Sequence, residues 1–202
     1  MMNRRIYFDL ILLVILSSGL VSYIGFSDER DRWQQPDKIM DSLDIRQGMM
    51  IGEVGAGEGY FTFKLAQRVG SSGHIYANDI VNRYLNHINA YCRQQKIDNV
   101  TTILGEIDDP LFPSSQLDMV VMMRVFHDLS QPVKMVNNII PALKPGTPLV
   151  IIDPESTKVP DNRAHFFSKD KILAIMQKSK FKLIKTLDFL PQDIIYIYRY
   201  QE

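Results

Sequence analysis

The sequence predicts an α/β protein: a doubly wound, mostly parallel sheet of seven strands with an antiparallel last strand, preceded by a hydrophobic N-terminal helix. Three observations carry that prediction. From Pro36 onward short apolar runs alternate with amphipathic stretches, as strands joined by crossover helices do. Most runs are apolar throughout, as strands buried on both faces are. The first run ends in glycines at alternate positions, Gly55, Gly57 and Gly59, which let a chain turn sharply with no side chain in the way.

The elements follow in order. Ile39 and Leu43 mark a first helix, and residues 49–54 a first strand. Phe61, Leu65 and Val69 recur every four residues and give one apolar helical face. Residues 74–78 form a second strand, and Val81, Leu85, Ile88 and Cys92 the next helical stripe. Residues 100–104 and 117–123 are the third and fourth strands, the latter nearly all apolar. Val133, Val136 and Ile140 mark a helix ended by Pro141, and residues 149–152 a fifth strand. Ile172, Ile175 and Met176 mark a helix, and residues 181–189 a sixth strand. In residues 194–200 Ile195 and Ile197 alternate with tyrosines, which suits an antiparallel strand at a sheet edge.

The N-terminus reads as a separate object. Residues 6–26 are apolar behind Arg4 and Arg5, which fits either a membrane anchor of about 20 residues or a signal peptide with an apolar centre of about 7–15. The expected organisation is therefore a signal peptide or anchor over 1–26, a polar linker over 27–36 and a folded domain over 37–202. The protein is expected to be membrane-associated through a single-pass anchor or exported after cleavage. Arg4 and Arg5 on one flank oppose Arg30, Arg32 and Lys38 on the other, so the positive-inside rule leaves the side open.

Lysine plus arginine and aspartate plus glutamate both total 23, so no net field draws the chain to nucleic acid, and no such partner is expected. A single cysteine, Cys92, excludes an internal disulfide and a multi-cysteine zinc site; no metal is expected.

The glycine turn differs from two common nucleotide loops. In the nicotinamide fingerprint the third glycine stands where Tyr60 does, and a phosphate-binding P-loop needs a lysine that is missing here. With Glu53 ahead of it, Gly55-Ala56-Gly57-Glu58-Gly59 resembles motif I of class I S-adenosylmethionine (SAM) dependent methyltransferases. The resemblance runs from about Trp33 to the C-terminus, includes Leu143-Lys144-Pro145-Gly146 before the fifth strand, and is nearest to the small-molecule and quinone methyltransferases. It implies SAM as cofactor, with Gly55, Gly57 and Gly59 lining it and Asp79 binding the ribose hydroxyls. Glu106 and Ile107 would then meet the adenine, and Glu53 would face the methionine end. Gly52, where the family carries an apolar residue, and Pro141, which shortens a helix, are departures.

The resemblance also implies a methyltransferase acting on a small-molecule acceptor beyond the fourth strand. The Asn/Asp-Pro-Pro-Tyr-like motif of amide and base N-methyltransferases is missing there, which argues against DNA methylation. His127 is the candidate to accept a proton, or else a capping or packing histidine. Arg124 binds an anionic substrate or faces solvent. His165 follows a polar stretch, residues 153–163, that is either part of a substrate lid or an exposed connection. The alternative to an enzyme is a non-catalytic methyltransferase-like binding module of the cell envelope.

Overall fold

The computed structural model describes residues 29–159, 161 and 164–200. The expected anchor or signal segment lies outside them. Among the described residues no helix is long and apolar enough to cross a membrane. Residues 29–34 of the expected linker are helical. By its internal contacts the chain divides before Pro36, and residues 36–202 form one compact unit.

Seven strands, β1 (Met50–Val54), β2 (His74–Asp79), β3 (Val100–Leu104), β4 (Met119–Met123), β5 (Pro148–Pro154), β6 (Phe181–Leu187) and β7 (Asp193–Tyr200), join in the order β3-β2-β1-β4-β5-β7-β6. β1 to β5 pair in parallel, and β7 is antiparallel to both neighbours. The helices are α1 (Pro36–Ser42), α2 (Tyr60–Val69), α3 (Asn82–Gln95), α4 (Pro132–Asn138) and α5 (Lys169–Met176). Period two along the strands builds two cores. Met119, Val121 and Met123 of β4 pack with Leu65 and Val69 of α2, whereas Val120 and Met122 pack with Met135, Val136 and Ile172 of α4 and α5. Both faces are thus covered, and this is why the central runs are apolar throughout.

Three differences from the sequence reading bear on the packing and the site. Val81 is the residue before α3 and is 39% exposed, so the apolar stripe starts at Leu85. β5 runs on to Pro154, which makes Asp153 a wholly buried strand residue instead of the start of a polar loop. β7 lies inside the sheet, and the lysine-bearing β6 is the edge. The alternation in β7 reports two different cores rather than one dry and one wet face: Ile195 joins the α1–α2 layer, Tyr196 and Tyr198 the α4–α5 layer.

The two tyrosines carry a stability prediction. Their side chains are buried, and neither hydroxyl has a hydrogen-bond partner among the described residues. Burial pushes both phenols well above tyrosine's usual value of about 10. Unfolded tyrosines lose their protons near that value while these two keep theirs, so the folded state binds more protons above it and stability falls as pH rises past about 10. Tyr196→Phe and Tyr198→Phe remove an unsatisfied group each and are expected to stabilise by about 1 kcal/mol, with a smaller alkaline loss. Thermal melts at neutral and alkaline pH test this. A lower Tm in the variants would mean that the hydroxyls are bonded in solution.

Candidate active site

In a doubly wound sheet the chain direction of the crossovers reverses at one place, and loops splay apart there at the C-terminal strand ends. Here that place lies between β1 and β4. The glycine turn follows β1. Gly55 has φ 72°, and a Cβ on it would fall 2.4 Å from Val125 Cγ2, so only glycine lets this turn pass under the loop after β4. Gly57 differs. A Cβ there would meet nothing within 4 Å, so its backbone faces open space with φ 53°. At Gly59 (φ 90°) a Cβ would meet the Phe63 ring at 2.7 Å. Gly52 has a packing reason of its own, since a Cβ there would lie 2.8 Å from Leu117 and 2.9 Å from Phe112.

Asp79 at the end of β2 organises these loops. Its Oδ2 accepts the Gly57 N–H at 2.9 Å and its Oδ1 the Val81 N–H at 2.8 Å. Its carbonyl accepts the Gly105 N–H at 3.1 Å. The carboxylate borders a cavity of about 210 Å³ lined also by Gly55, Ile80, Ile107, Val125 and Asp128. Larger concavities of about 420 and 550 Å³ exist, the first at the opposite ends of the strands beside Asn99 and the second along β6. Chemistry in this fold gathers at the C-terminal ends, so the smaller cavity is the candidate.

The cavity unites Gly55, Asp79 and Ile107 but not every expected cofactor residue. Glu106 is exposed on the loop after β3, where its N–H is bonded to the Asp109 carbonyl. Glu53 is 2% exposed and accepts the Thr62 hydroxyl at 2.5 Å, behind the glycine turn.

Beyond β4 the chain turns through Arg124, which has a positive φ of 56°, into a single 3₁₀ turn over Phe126–Asp128. β4 pairs with β5 through Met123 and Ile152, so Asp153 is the next position along the neighbouring strand. His127 folds back onto it: Nδ1 lies 3.0 and 3.1 Å from the two Asp153 oxygens. An ionised carboxylate only accepts, so Nδ1 carries a proton, and in the neutral ring Nε2 holds the lone pair. Burial raises the Asp153 pKa, while His127 and Arg124 draw it down. The imidazole is 4% exposed and meets Phe166 and His165 edge-to-face, with centroids 4.8 and 5.0 Å apart. Arg124 neither faces solvent nor stands open to a substrate anion. It reaches the buried Asp193 at 2.5 Å and lies 5.6 Å from the Phe166 ring centre. His165 is half exposed.

Sequence reasoning missed Asp153, Asp128 and Asn78. An acid directly after the apolar run of residues 149–152, and an amide next to Asp79 near the end of β2, were the available signals. Asn78 donates to the carbonyls of Ile103 and Pro110 and so ties down the loop after β3.

A seven-stranded sheet of this order, with a glycine turn after β1 and an acid ending β2, defines the α/β methyltransferase class. Residues 45–193 match the family described as a methyltransferase domain, and the chain belongs to the class I SAM-dependent methyltransferases. SAM is therefore its cofactor. It is 30% identical over 113 residues to a protein-L-isoaspartate O-methyltransferase of Methanothrix thermoacetophila, covering 56% of this chain and 51% of that one. It is 31% identical over 83 residues to nocamycin O-methyltransferase of Saccharothrix syringae, covering 41% of this chain and 30% of that one. A Thermus thermophilus tRNA (adenine(58)-N(1))-methyltransferase is 28% identical over 138 residues, 66% of this chain and 52% of that one. The chain spans about half or less of the length of these curated relatives. The fold is shared with a SAM-dependent methyltransferase of Aquifex aeolicus at a TM-score of 0.78 and 22% identity, covering 84% of this chain and 91% of that one.

Proposed function

We propose that the protein methylates a small-molecule acceptor docked beyond β4 and β5, and that His127 receives the acceptor's proton. The observation that carries this reading is the buried His127–Asp153 pair at the same strand ends as the Asp79 cavity. When bound, SAM supplies a methyl group on a sulfonium that departs with its electron pair as a neutral thioether. Each Asp79 oxygen already accepts one backbone N–H and retains a lone pair for a ribose hydroxyl. Ile107 and Ile80 offer apolar surface to the base, with Glu106 on the same loop. The open backbone of Gly57 leaves room for the rest of an extended ligand, and Glu53 behind the turn favours a cationic group.

On the acceptor side, a lone pair of an O–H or N–H group forms the new bond to carbon, and its proton passes to His127 Nε2. Asp153 holds the ring and stabilises the imidazolium. Alignment of the reacting groups can itself supply about 7–11 kcal/mol, so one positioned base suffices. A small acceptor is favoured by the balanced charge, which provides no field for a tRNA, and by the O-methylation that the nocamycin relative is named for. The hydrophobic residues 6–26 behind Arg4 and Arg5 support a membrane-associated or exported protein. A reporter fused after Glu202 reads the side of the membrane.

The test is calorimetric titration of the full-length protein with SAM, followed by transfer of a labelled methyl group to a panel of phenols, carboxylic acids and amines. Binding with transfer to at least one of them is expected. A folded protein that does not bind SAM would overturn the reading and leave a non-catalytic module.

A further inference from the structure

The outer side of the His127–Asp153 pair carries two more side chains able to hold a metal. Asp128, next in the 3₁₀ turn, has a carboxylate oxygen 3.5 Å from His127 Nε2. Its other oxygen lies 3.7 Å from His165 Nε2, brought in from the segment ahead of α5. One ligand atom from each of the three residues can be chosen so that all lie within 4.8 Å of one another.

We propose that His127, Asp128 and His165 bind one divalent transition-metal ion, with Asp153 as the outer partner that orients His127. The distances suit it. Ligands at about 2.0–2.1 Å from a tetrahedral ion stand about 3.3–3.4 Å apart. The two Asp128 contacts, one on each carboxylate oxygen, exceed that spacing by a few tenths of an ångström. With one donor atom per residue the three lie within 4.8 Å, and the exposed His165 has freedom to close the gap. The ligand types suit it as well: two imidazoles and one carboxylate select zinc, iron or cobalt over magnesium or calcium.

The strongest support comes from behind the cluster. A metal-binding histidine characteristically donates its second ring N–H to a carboxylate, which sets the tautomer and turns the free lone pair toward the ion. His127 does this to Asp153, itself wholly buried. Burying a carboxylate there is costly unless it is paired. The pairing leaves Nε2 on the side where Asp128 and His165 converge. Three protein ligands leave a coordination position open, and Asp128 also lines the Asp79 cavity, so that position adjoins the place of methyl transfer.

This inference rests on the proposed methyl transfer only for its role, and with the ion bound it replaces His127 as the means of removing the acceptor's proton. An acceptor hydroxyl bound to the ion loses its proton to solvent far more readily, so the imidazole no longer has to take it. The acceptor would then be a hydroxyl compound. Metal binding itself needs no methyl transfer.

The untagged full-length protein, stripped with a chelator, is titrated with Co²⁺ and followed by its visible absorption, and with Zn²⁺ against a competing chromophoric chelator. One ion per chain is expected. His165→Gln and Asp128→Asn, both at exposed side chains, should each weaken binding at least about 10-fold, and Asp153→Asn about 10–100-fold. Melting of the metal-free His165→Gln and Asp128→Asn variants should be unchanged. Absence of cobalt bands, or equal affinity in both exposed-site variants, overturns the proposal. SAM binding measured on the same stripped protein separates the two readings. Retained SAM binding without cobalt binding removes only the ion, whereas cobalt binding without SAM binding leaves the metal site and removes the transferase.

Discussion

Asp79→Ala is expected to weaken SAM binding about 100-fold or more, because two charge-assisted hydrogen bonds of about 1.5–3 kcal/mol each disappear together. The loss has a second source. The same carboxylate accepts the N–H groups of Gly57 and Val81, so its removal also frees the glycine turn from the loop that opens α3. Asp79→Asn keeps one acceptor oxygen and is expected to fall between the variant and the parent. Calorimetry of all three proteins, with thermal melts beside it, is the check. Asp79→Ala binding as tightly as the parent would remove the ribose assignment.

The second large effect is on turnover. His127→Gln is expected to slow methyl transfer by about 10²–10⁴-fold, the usual contribution of a positioned proton acceptor. SAM affinity should stay within about threefold, because His127 is not among the residues lining the Asp79 cavity. Single-turnover transfer at saturating SAM separates the two quantities. Unchanged transfer in a folded variant would reduce His127 to a packing residue beside Phe166, whereas lost SAM binding would mean that the 3₁₀ turn had collapsed.

The glycine turn and Asp79 were legible in the sequence because their requirements are local. A strand that must reverse into a helix under a neighbouring loop needs glycine wherever a Cβ would strike that neighbour, as at Gly55 and Val125. An acid at the end of an apolar run is likewise visible as a break in pattern. His127 was visible as a candidate, but its partner was not. Asp153 reads as the first residue of a polar stretch, and only the register of β4 on β5 reveals that it is buried beside the turn after Met123. Arg124 read as a substrate ligand or a solvent-facing residue for the same reason: its buried partner, Asp193, begins β7, far away in sequence.

The sequence by itself determined the fold class, the alternation of strands and helices and the cofactor loop, because strand and helix periods and glycine positions are set by neighbours along the chain. Tertiary structure alone decided the placement of β7 inside the sheet, the burial of Asp153 and the meeting of His127, Asp128 and His165. Those depend on which strand ends lie side by side, and pairing between distant segments leaves no period in the sequence to read.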